Sequence, residues 1–418
     1  MEQAGNRVAI VGGVRTPFVK AGTNFKDLSM QQLGAHVLVE LVKQYDLKRQ
    51  NIDEVVLGTV ILDPRTPNWA REILFMAGLP KTISAHSVSN NCISGLVAAT
   101  FVAERIASGR LDTAIAGGSE SMSKPTLIYN PKGADIFLQL SRARTTSEKL
   151  KLMLSLHKLK YFLPKAPSVK EPSTGLTMGE HAEISAKEFK IARADQDKIA
   201  FASHQNAATA FEKGVFKNEI APLLGVDRDL IVRKDSTIEK LAKLKPVFDR
   251  SEAGTLTAGN SSPLTDGASA ILLMSEKEAK KQGRDVIAYI RDYEYAAIDP
   301  NEGLLMAPAV AVPRLLKRRG LILPDFDLIE IHEAFAAQVL ANISAWASGW
   351  KEQGIGQVDF AKLNVNGGSI AIGHPFAATG ARIIFNLAAE LKRRNLKRGL
   401  ISICAAGAMA GAMIIERD

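Results

Sequence analysis

Strand-like and helix-like stretches alternate along this chain, and they do so twice in the same order. "RVAIVGG" has the pattern of a short buried strand, "LSMQQLGAHVLVELVKQY" carries apolar residues at helical spacing, and "EVVLGTVI" is strand-like again. "NCISGLVAATFVAERIASG" follows, apolar or small on nearly every side before Glu104, which predicts a helix enclosed in a core. "TAIAGGSESMS" then reads as a strand running into a glycine turn. The rhythm breaks into basic and polar helices with loops from about 124 to 262. It resumes with "GASAILLMS", "VIAYIRDYEYA", "VAVPRLLKRRG", "DLIEIHEAFAAQVLANISAW", "GHPFAATGARIIFNLAAELKRR", "GLISICAAGA" and "GAMIIE". The second half thus repeats the first, and the helix after His374 takes the place of the helix after Cys92. Such a βαβ rhythm predicts a mostly parallel sheet with helices on both faces. The organisation expected is an α/β half over 1–123, completed by about 264–284, a loop domain over 124–263 with a basic insert at 131–170, and a second α/β half over 285–418.

The bulk properties narrow the function classes. With 418 residues, 46% hydrophobic and 23% charged, the chain has material for a full-sized soluble core. The formal charge of +9 raises the question of nucleic acid, but nine basic residues and only two acids, Asp135 and Glu148, fall within 131–170. The excess is therefore local, the rest of the chain is nearly neutral, and no nucleic-acid partner is expected. Two cysteines cannot build a disulfide framework, and neither lies at metal-ligand spacing, so no metal is expected. No secretory pattern opens the sequence and no apolar run reaches the roughly 20 residues of a membrane span. A cytoplasmic, reducing setting is the expectation.

A cysteine beside an apolar helix is ordinarily a small buried hydrophobe. In "NNCISG", however, Asn91 is placed to cap the helix and Cys92 to open it, where free N–H groups and the helix dipole favour a thiolate. Cys404 ends the strand "LISIC" ahead of small residues that allow close backbone approach, and strand ends of such sheets are where ligands bind. His332 follows a strand in "IEIHEAF". His374 lies between glycines in "VNGGSIAIGHPF", with Pro375 suited to the first helical position. Two thiols and two imidazoles at strand ends, without metal spacing, suggest covalent acyl chemistry.

These stretches resemble the thiolase family. "GGSESMS" (117–123), "MGEHAE" (178–183), "TLTAGNSSPLTDGA" (255–268), "HEAFAAQ" (332–338), "NVNGGSIAIGHPFAATGAR" (364–382) and "CAAGAMAGAMIIE" (404–416) are similar to thiolase signatures, occur in family order and span nearly the whole chain. The "HEAF" and "GHPFAATGAR" forms and the basic insert are most similar to the β-subunit type of fatty-acid-oxidation trifunctional enzymes. The resemblance implies a duplicated αβαβα layered fold with an inserted loop domain. It implies an acyltransferase that cleaves 3-ketoacyl-CoA with CoA by ping-pong acyl-cysteine catalysis in fatty-acid β-oxidation. By that resemblance Cys92 is the acylated nucleophile, His374 activates it and helps bind the thioester oxygen, Cys404 is the acid/base on the carbon next to the thioester, and His332 lines the oxyanion site directly or through water. Coenzyme A contacts fall on Arg233, Ala258, Ser262, Leu264 and Met306, with Ala334 and Phe335 beside the pantetheine. CoA and acyl-CoA are then substrates and no separate cofactor is expected. Three departures stand out: Ala377 replaces a common glycine, Ala408 stands where "CAAGG" is usual, and "NNCISG" is not the commonest nucleophile string.

Other readings remain at this level. An acetoacetyl-CoA thiolase working in the condensation direction would use the same residues. Ketoacyl synthases are similar in fold but carry histidine or asparagine at the position of Cys404. A non-catalytic thiolase-like scaffold would have no use for four retained site residues. The resemblance implies a homodimer or dimer of dimers, and a hydratase/dehydrogenase α-subunit as partner. Within the insert, "SEKLKLMLSLHKLKYFL" is expected to put Leu152, Leu156, Leu159 and Leu163 on one helical stripe among Lys149, Lys151, Lys158 and Lys160. That pattern suits a self-packed solvated helix, peripheral contact with an anionic membrane, or an acidic partner.

Overall fold

The computed structural model describes residues 6–155, 161 and 163–418. The first half runs β1 (Val8–Arg15), β2 (Val19–Lys20), α1 (Met30–Gln44), β3 (Glu54–Gly58), α2 (Trp69–Met76), β4 (Ser84–Val88), α3 (Ser94–Ala107) and β5 (Thr113–Glu120). The middle contributes α4 (Pro131–Arg142), α5 (Thr146–Leu154), α6 (Met178–Glu188), α7 (Arg193–Glu212) and α8 (Ile238–Ala242). Then come β6 (Thr265–Ser275), α9 (Glu276–Lys281), β7 (Ala288–Ala297), α10 (Pro308–Arg319), β8 (Leu328–Ile331) and α11 (Ala336–Ser348). The chain closes with α12 (Ser369–Ile372), α13 (Thr379–Arg393), β9 (Arg398–Ala405) and β10 (Met409–Glu416). Local signals set several boundaries. Ser29 and Gln32 form a reciprocal capping box at the start of α1, and Thr177 and Glu180 do the same for α6.

Sheet order is β4-β3-β5-β6-β1-β7-β10-β9-β8, with β2 paired to β6. Read outward from the β1–β7 junction, β1-β6-β5-β3 mirrors β7-β10-β9-β8, which is the duplication expected from sequence. Even β4 has a trace on the other side, where Leu363 makes a parallel bridge to Ile329 of β8. The expectation of a mostly parallel sheet is wrong. Parallel pairing is confined to β3–β4, β3–β5 and β8–β9, and the remaining pairings are antiparallel. The physical reason is that β10 returns through a three-residue turn after β9, and β6 returns beside β5 after the middle segment. Neither uses the right-handed crossover that keeps strands parallel.

The strands feed both faces of the sheet. In β1, Ala9 and Val11 join the cluster under α1 and α2, while Val8 and Ile10 join a central cluster with α3 and α13. In β10, Met413 and Ile415 face that same central cluster, while Ala412 and Ile414 pack outward with α10 and α11. Two-residue alternation with both faces covered gives five layers: α1/α2, one sheet half, α3/α13, the other sheet half, α10/α11. The αβαβα architecture is therefore present.

The central pair α3/α13 meets backbone to backbone. A methyl group at Gly95 would stand 2.5 Å from the carbonyl oxygen of Ala377, and one at Gly380 would run into the amide nitrogen of Leu96. These glycines occupy the second position of the two duplicated helices, so the contact is symmetric. Gly380→Ala is expected to destabilise the fold by about 3 kcal/mol, because backbone on the far side cannot yield as a side chain can. Urea unfolding checks this; an unchanged midpoint would mean that the helices separate freely.

The chain divides into two compact units, one of residues 1–60, 68–124 and 170–418, the other of 61–67 and 125–169. The separate unit is thus narrower than the loop domain expected over 124–263. Residues 170–263 cluster with the sheet because α6 and α7 pack against α11. Within the smaller unit α5 ends at Leu154, and the stripe expected from Leu152 to Leu163 runs on past it. Leu156, Lys158, Leu159 and Lys160 lie outside the described residues.

Candidate active site

Cys92 is presented by a sharp turn, not by a helix end. After β4, the chain passes through Asn91 with φ at 47°, a left-handed conformation that asparagine tolerates better than most side chains. Ser94 ties the turn, its Oγ donating to the Asn91 carbonyl at 2.6 Å and accepting from the Asn90 N–H at 2.8 Å. The helix begins at Ser94, with Ile93 before it making no side-chain cap bond. The expected capping by Asn91 and the expected helix-opening position of Cys92 are therefore corrected. Asn91 instead donates from Nδ2 to the Ala406 carbonyl at 2.9 Å, joining the Cys92 turn to the Cys404 turn.

The expected stabilised thiolate is corrected as well. Burial pushes the Cys92 thiol up to about 12 and nearby Glu120 adds to the rise, against hydrogen bonds from the backbone of Ala406 and of Cys92 itself. Cys92 is a neutral thiol at pH 7. The groups facing it are neutral too. The His374 imidazole is held down to about 3 by burial and by the Arg382 guanidinium, and His332 well below its ordinary value by burial, His374 and Arg382. The two rings lie 4.0 Å apart between centroids, so a charge on either would oppose a charge on the other. Cys92, His332 and His374 each offer an atom within 4.8 Å of the others'.

Each group rests on a turn that the fold builds. His332 leaves β8 with its N–H donating to the Ser402 carbonyl of β9 at 2.8 Å. His374 bridges to Leu264, and its N–H donates to Thr265 Oγ1 at 3.0 Å. Pro375 does not open the long helix as expected; a 3-10 turn over Phe376–Ala378 intervenes before α13. The Ala377 N–H in that turn donates to the buried Glu120 carboxylate at 3.3 Å. Cys404 is fully buried near the end of β9, its thiol raised far above the ordinary value by burial and by Cys92. The following turn passes Gly407 and Ala408 at φ of 76° and 54°. Alanine in place of glycine therefore stores about 1–2 kcal/mol of strain beside the site. Gly407 N–H donates to Glu171 Oε2 at 2.9 Å, which braces the same turn.

Of the residues expected to touch CoA, Ala334 and Phe335 pack with Cys404 and Leu305 in one apolar cluster. Ser262 donates from both N–H and Oγ to the Ala334 carbonyl, at 2.9 and 3.1 Å. Leu264 and Ala258 are exposed nearby in sequence. Arg233 is exposed, its backbone N–H donating to His204 Nδ1 at 3.2 Å. Met306 is fully buried in the outer core of the second half.

Sequence reasoning missed the residues behind the histidines. Ser369 Oγ lies 2.8 Å from His332 Nδ1, Thr379 Oγ1 lies 2.6 Å from His374 Nδ1, and Arg382 Nη2 donates to Ser369 at 3.1 Å. Glu333 clasps the stretch that leads into Ser369, accepting from Ser203 Oγ at 2.7 Å, Asn364 Nδ2 at 2.6 Å and the Ile370 N–H at 3.1 Å. A polar residue next to a site histidine in sequence was the available signal for Glu333. Nothing local singled out the other three.

Buried neutral histidines make stability depend on pH. His374 and His204 lie at about 3 and about 4, below the ordinary 6.5, chiefly through burial, and Arg233 lowers His204 further. The unfolded chain takes up protons first, so this stability is present above pH 6.5 and is lost as pH falls toward these values. Within that window each histidine is expected to cost about 1.4 kcal/mol per pH unit. The thermal midpoint should fall steadily from pH 7 to pH 4.5, and His204→Gln, outside the site, should flatten the slope. A midpoint independent of pH across that range would sink the expectation.

A duplicated layered fold converging on two thiols and two imidazoles defines an acyltransferase, and comparison with known proteins agrees. Residues 8–277 match the model of the thiolase N-terminal domain and residues 284–417 that of the thiolase C-terminal domain. The chain is 44% identical to the 3-ketoacyl-CoA thiolases of Shewanella sediminis and Yersinia enterocolitica, over 99% of this chain and 97% of each relative. It superposes on the crystal structure of the Bacillus anthracis acetyl-CoA acetyltransferase with a TM-score of 0.84 at 33% identity, covering 99% of this chain and all of that one. The chain belongs to the thiolase family.

Proposed function

We propose that this enzyme cleaves 3-ketoacyl-CoA with free CoA, releasing acetyl-CoA and an acyl-CoA shortened by two carbons, as in fatty-acid β-oxidation. The observation that carries the reading is the convergence of Cys92, His374 and His332 within 4.8 Å, with Cys404 close enough for its thiol to be raised by Cys92. As the Cys92 sulphur attacks the keto carbon, its proton passes to His374, and His332 faces the developing oxyanion. The C2–C3 bond then breaks, and the departing acetyl-CoA enolate takes the Cys404 proton. In the second half, incoming CoA gives its thiol proton to the Cys404 thiolate and attacks the acyl-Cys92 thioester. Cys92 leaves and recovers its proton from His374, so protons balance over the cycle. The backbone of Ala406 and of Cys92, both directed at the Cys92 sulphur, suits the thioester oxygen of the acylated state. CoA and acyl-CoA are substrates in this scheme, and it calls on no further cofactor.

Incubation with acetoacetyl-CoA and longer 3-ketoacyl-CoAs plus CoA, followed by loss of the enolate absorbance, tests activity and chain preference together. No loss with any chain length would reject the reading. Preference for acetyl-CoA condensation would move it to the acetoacetyl-CoA type, the same chemistry run backwards.

We also propose that the 125–169 unit docks a hydratase/dehydrogenase subunit that hands over the ketoacyl-CoA. Support comes from exposed Leu150 and Leu154, four residues apart on α5, with Phe137 and Leu138 exposed on α4, set among the basic residues of the insert. Lys149→Glu with Lys151→Glu is expected to weaken that association several-fold, more at low salt, and to leave acetoacetyl-CoA thiolysis intact. Pull-down and kinetics check it. Binding to anionic vesicles lost in the variant would assign the surface to membrane instead, and lost thiolysis with association unchanged would give it to the active site. A homodimer or dimer of dimers fits the same reading, with β4 as the sheet's open edge; sedimentation measures it.

A further inference from the structure

The two active-site histidines have the same arrangement at first sight: each buried, each with Nδ1 on a hydroxyl, each with Nε2 lacking any partner. What differs is the second neighbour of each hydroxyl. Thr379 Oγ1 also donates to a carbonyl, that of Pro375, at 3.2 Å. A hydroxyl has one proton. If the carbonyl takes it, the threonine oxygen can only accept from His374, which places the imidazole proton on Nδ1 and leaves Nε2 bare. Ser369 Oγ is instead approached by Arg382 Nη2 at 3.1 Å, and a guanidinium can only donate. The serine proton is then free to go to His332 Nδ1, which places that imidazole's proton on Nε2.

We propose that Thr379, and Ser369 together with Arg382, are positioning residues that hold His374 and His332 in opposite tautomers, one presenting a lone pair to Cys92 and the other an N–H to the substrate oxygen. The assignment rests on the thiolase reading above for its purpose, though not for its geometry. It answers a difficulty of the neutral site. An un-ionised thiol needs an acceptor and an oxyanion needs a donor, and two neutral imidazoles side by side supply both only if their tautomers differ. The carbonyl and the guanidinium, both outside the reacting centre, make that choice. Arg382 adds a second effect: its buried charge disfavours imidazolium at both rings, so neither tautomer is lost to protonation near neutrality.

Neutron diffraction from crystals of the full chain after deuterium exchange reads the tautomers directly and without reference to activity. Deuterium is expected on His374 Nδ1 and on His332 Nε2. Deuterium on His374 Nε2, or on His332 Nδ1, overturns the proposal even if the enzyme is a thiolase. The expected pattern in a protein inactive on every ketoacyl-CoA would instead uphold the tautomers and reject the functional reading. Kinetics supply the second arm. Thr379→Val keeps the shape but cannot accept from Nδ1, and is expected to slow acylation of Cys92 on the order of 10²-fold, with KM little changed. Thr379→Ser, which restores the oxygen, should recover most of the rate. Equal losses in the valine and serine variants would show that Thr379 matters for packing alone and would overturn its positioning role.

Discussion

Cys92→Ala is expected to lose turnover by at least about 10⁴-fold while the chain still folds, because one thiol carries the acyl group and nothing else in the site can replace it. The fold should survive because the turn at Cys92 does not depend on the sulphur. Asn91 and Ser94 hold it through backbone and their own side chains, and a methyl group occupies the space without introducing a polar atom. In the wild-type chain, incubation with an acyl-CoA followed by proteolysis and mass spectrometry should find the acyl group on the peptide bearing Cys92. The neutral state of the site adds a second expected result. With the thiol at about 12, alkylation of the free enzyme should be slow at pH 7 and rise with pH, since only the thiolate reacts. An acyl group found on Cys404, or alkylation that is fast and flat from pH 6 to 9, would overturn the assignment of Cys92 as a neutral thiol activated in place.

Much of the architecture was legible because duplication writes the same period twice. Runs such as "VAIVGG" and "LISIC" became β1 and β9, and the helix apolar on all sides became the central α3 between the two sheet halves. Strand direction was not legible. It depends on whether the chain crosses over or turns back, and the three-residue return between Ala405 and Met409 looks in sequence like any small-residue loop. The four chemical residues were legible for a related reason. Cysteine and histidine at strand ends are rare enough to stand out, and strand ends are where the sheet gathers them. Their protonation was not. Asparagine before cysteine looks like a helix cap, but its side chain went to Ala406 across the site, and burial reversed the expected direction of the Cys92 shift. Ser369, Thr379 and Arg382 were illegible because their roles come from partners distant in the chain or on the next turn. In "GGSIAIGHPFAATGAR" they look like turn formers and an ordinary helix-surface arginine, yet Arg382 is almost fully buried.

Cys404→Ala separates the two halves of the chemistry and is expected to be nearly as severe for turnover, about 10³-fold, with a different signature. The thiol sits in an apolar cluster with Ala334, Phe335 and Leu305, and burial together with Cys92 keeps it protonated. A buried, protonated thiol is a suitable acid for a carbanion-like carbon, because water is excluded and the proton has no competing acceptor in the cluster. Cys92 keeps His374, His332 and the Ala406 backbone in the variant, so acyl transfer from an acyl-CoA to Cys92 should persist and be visible by mass. What should fail is every step that moves a proton at the carbon next to the thioester. Wild-type enzyme in deuterium oxide should exchange the methyl protons of acetyl-CoA, and Cys404→Ala should not. Cys404→Ser, which keeps a hydroxyl of higher pKa in the same place, should exchange slowly, falling between the two. Normal exchange in the alanine variant would mean that another group moves that proton, and the division of labour between the two thiols would have to be redrawn.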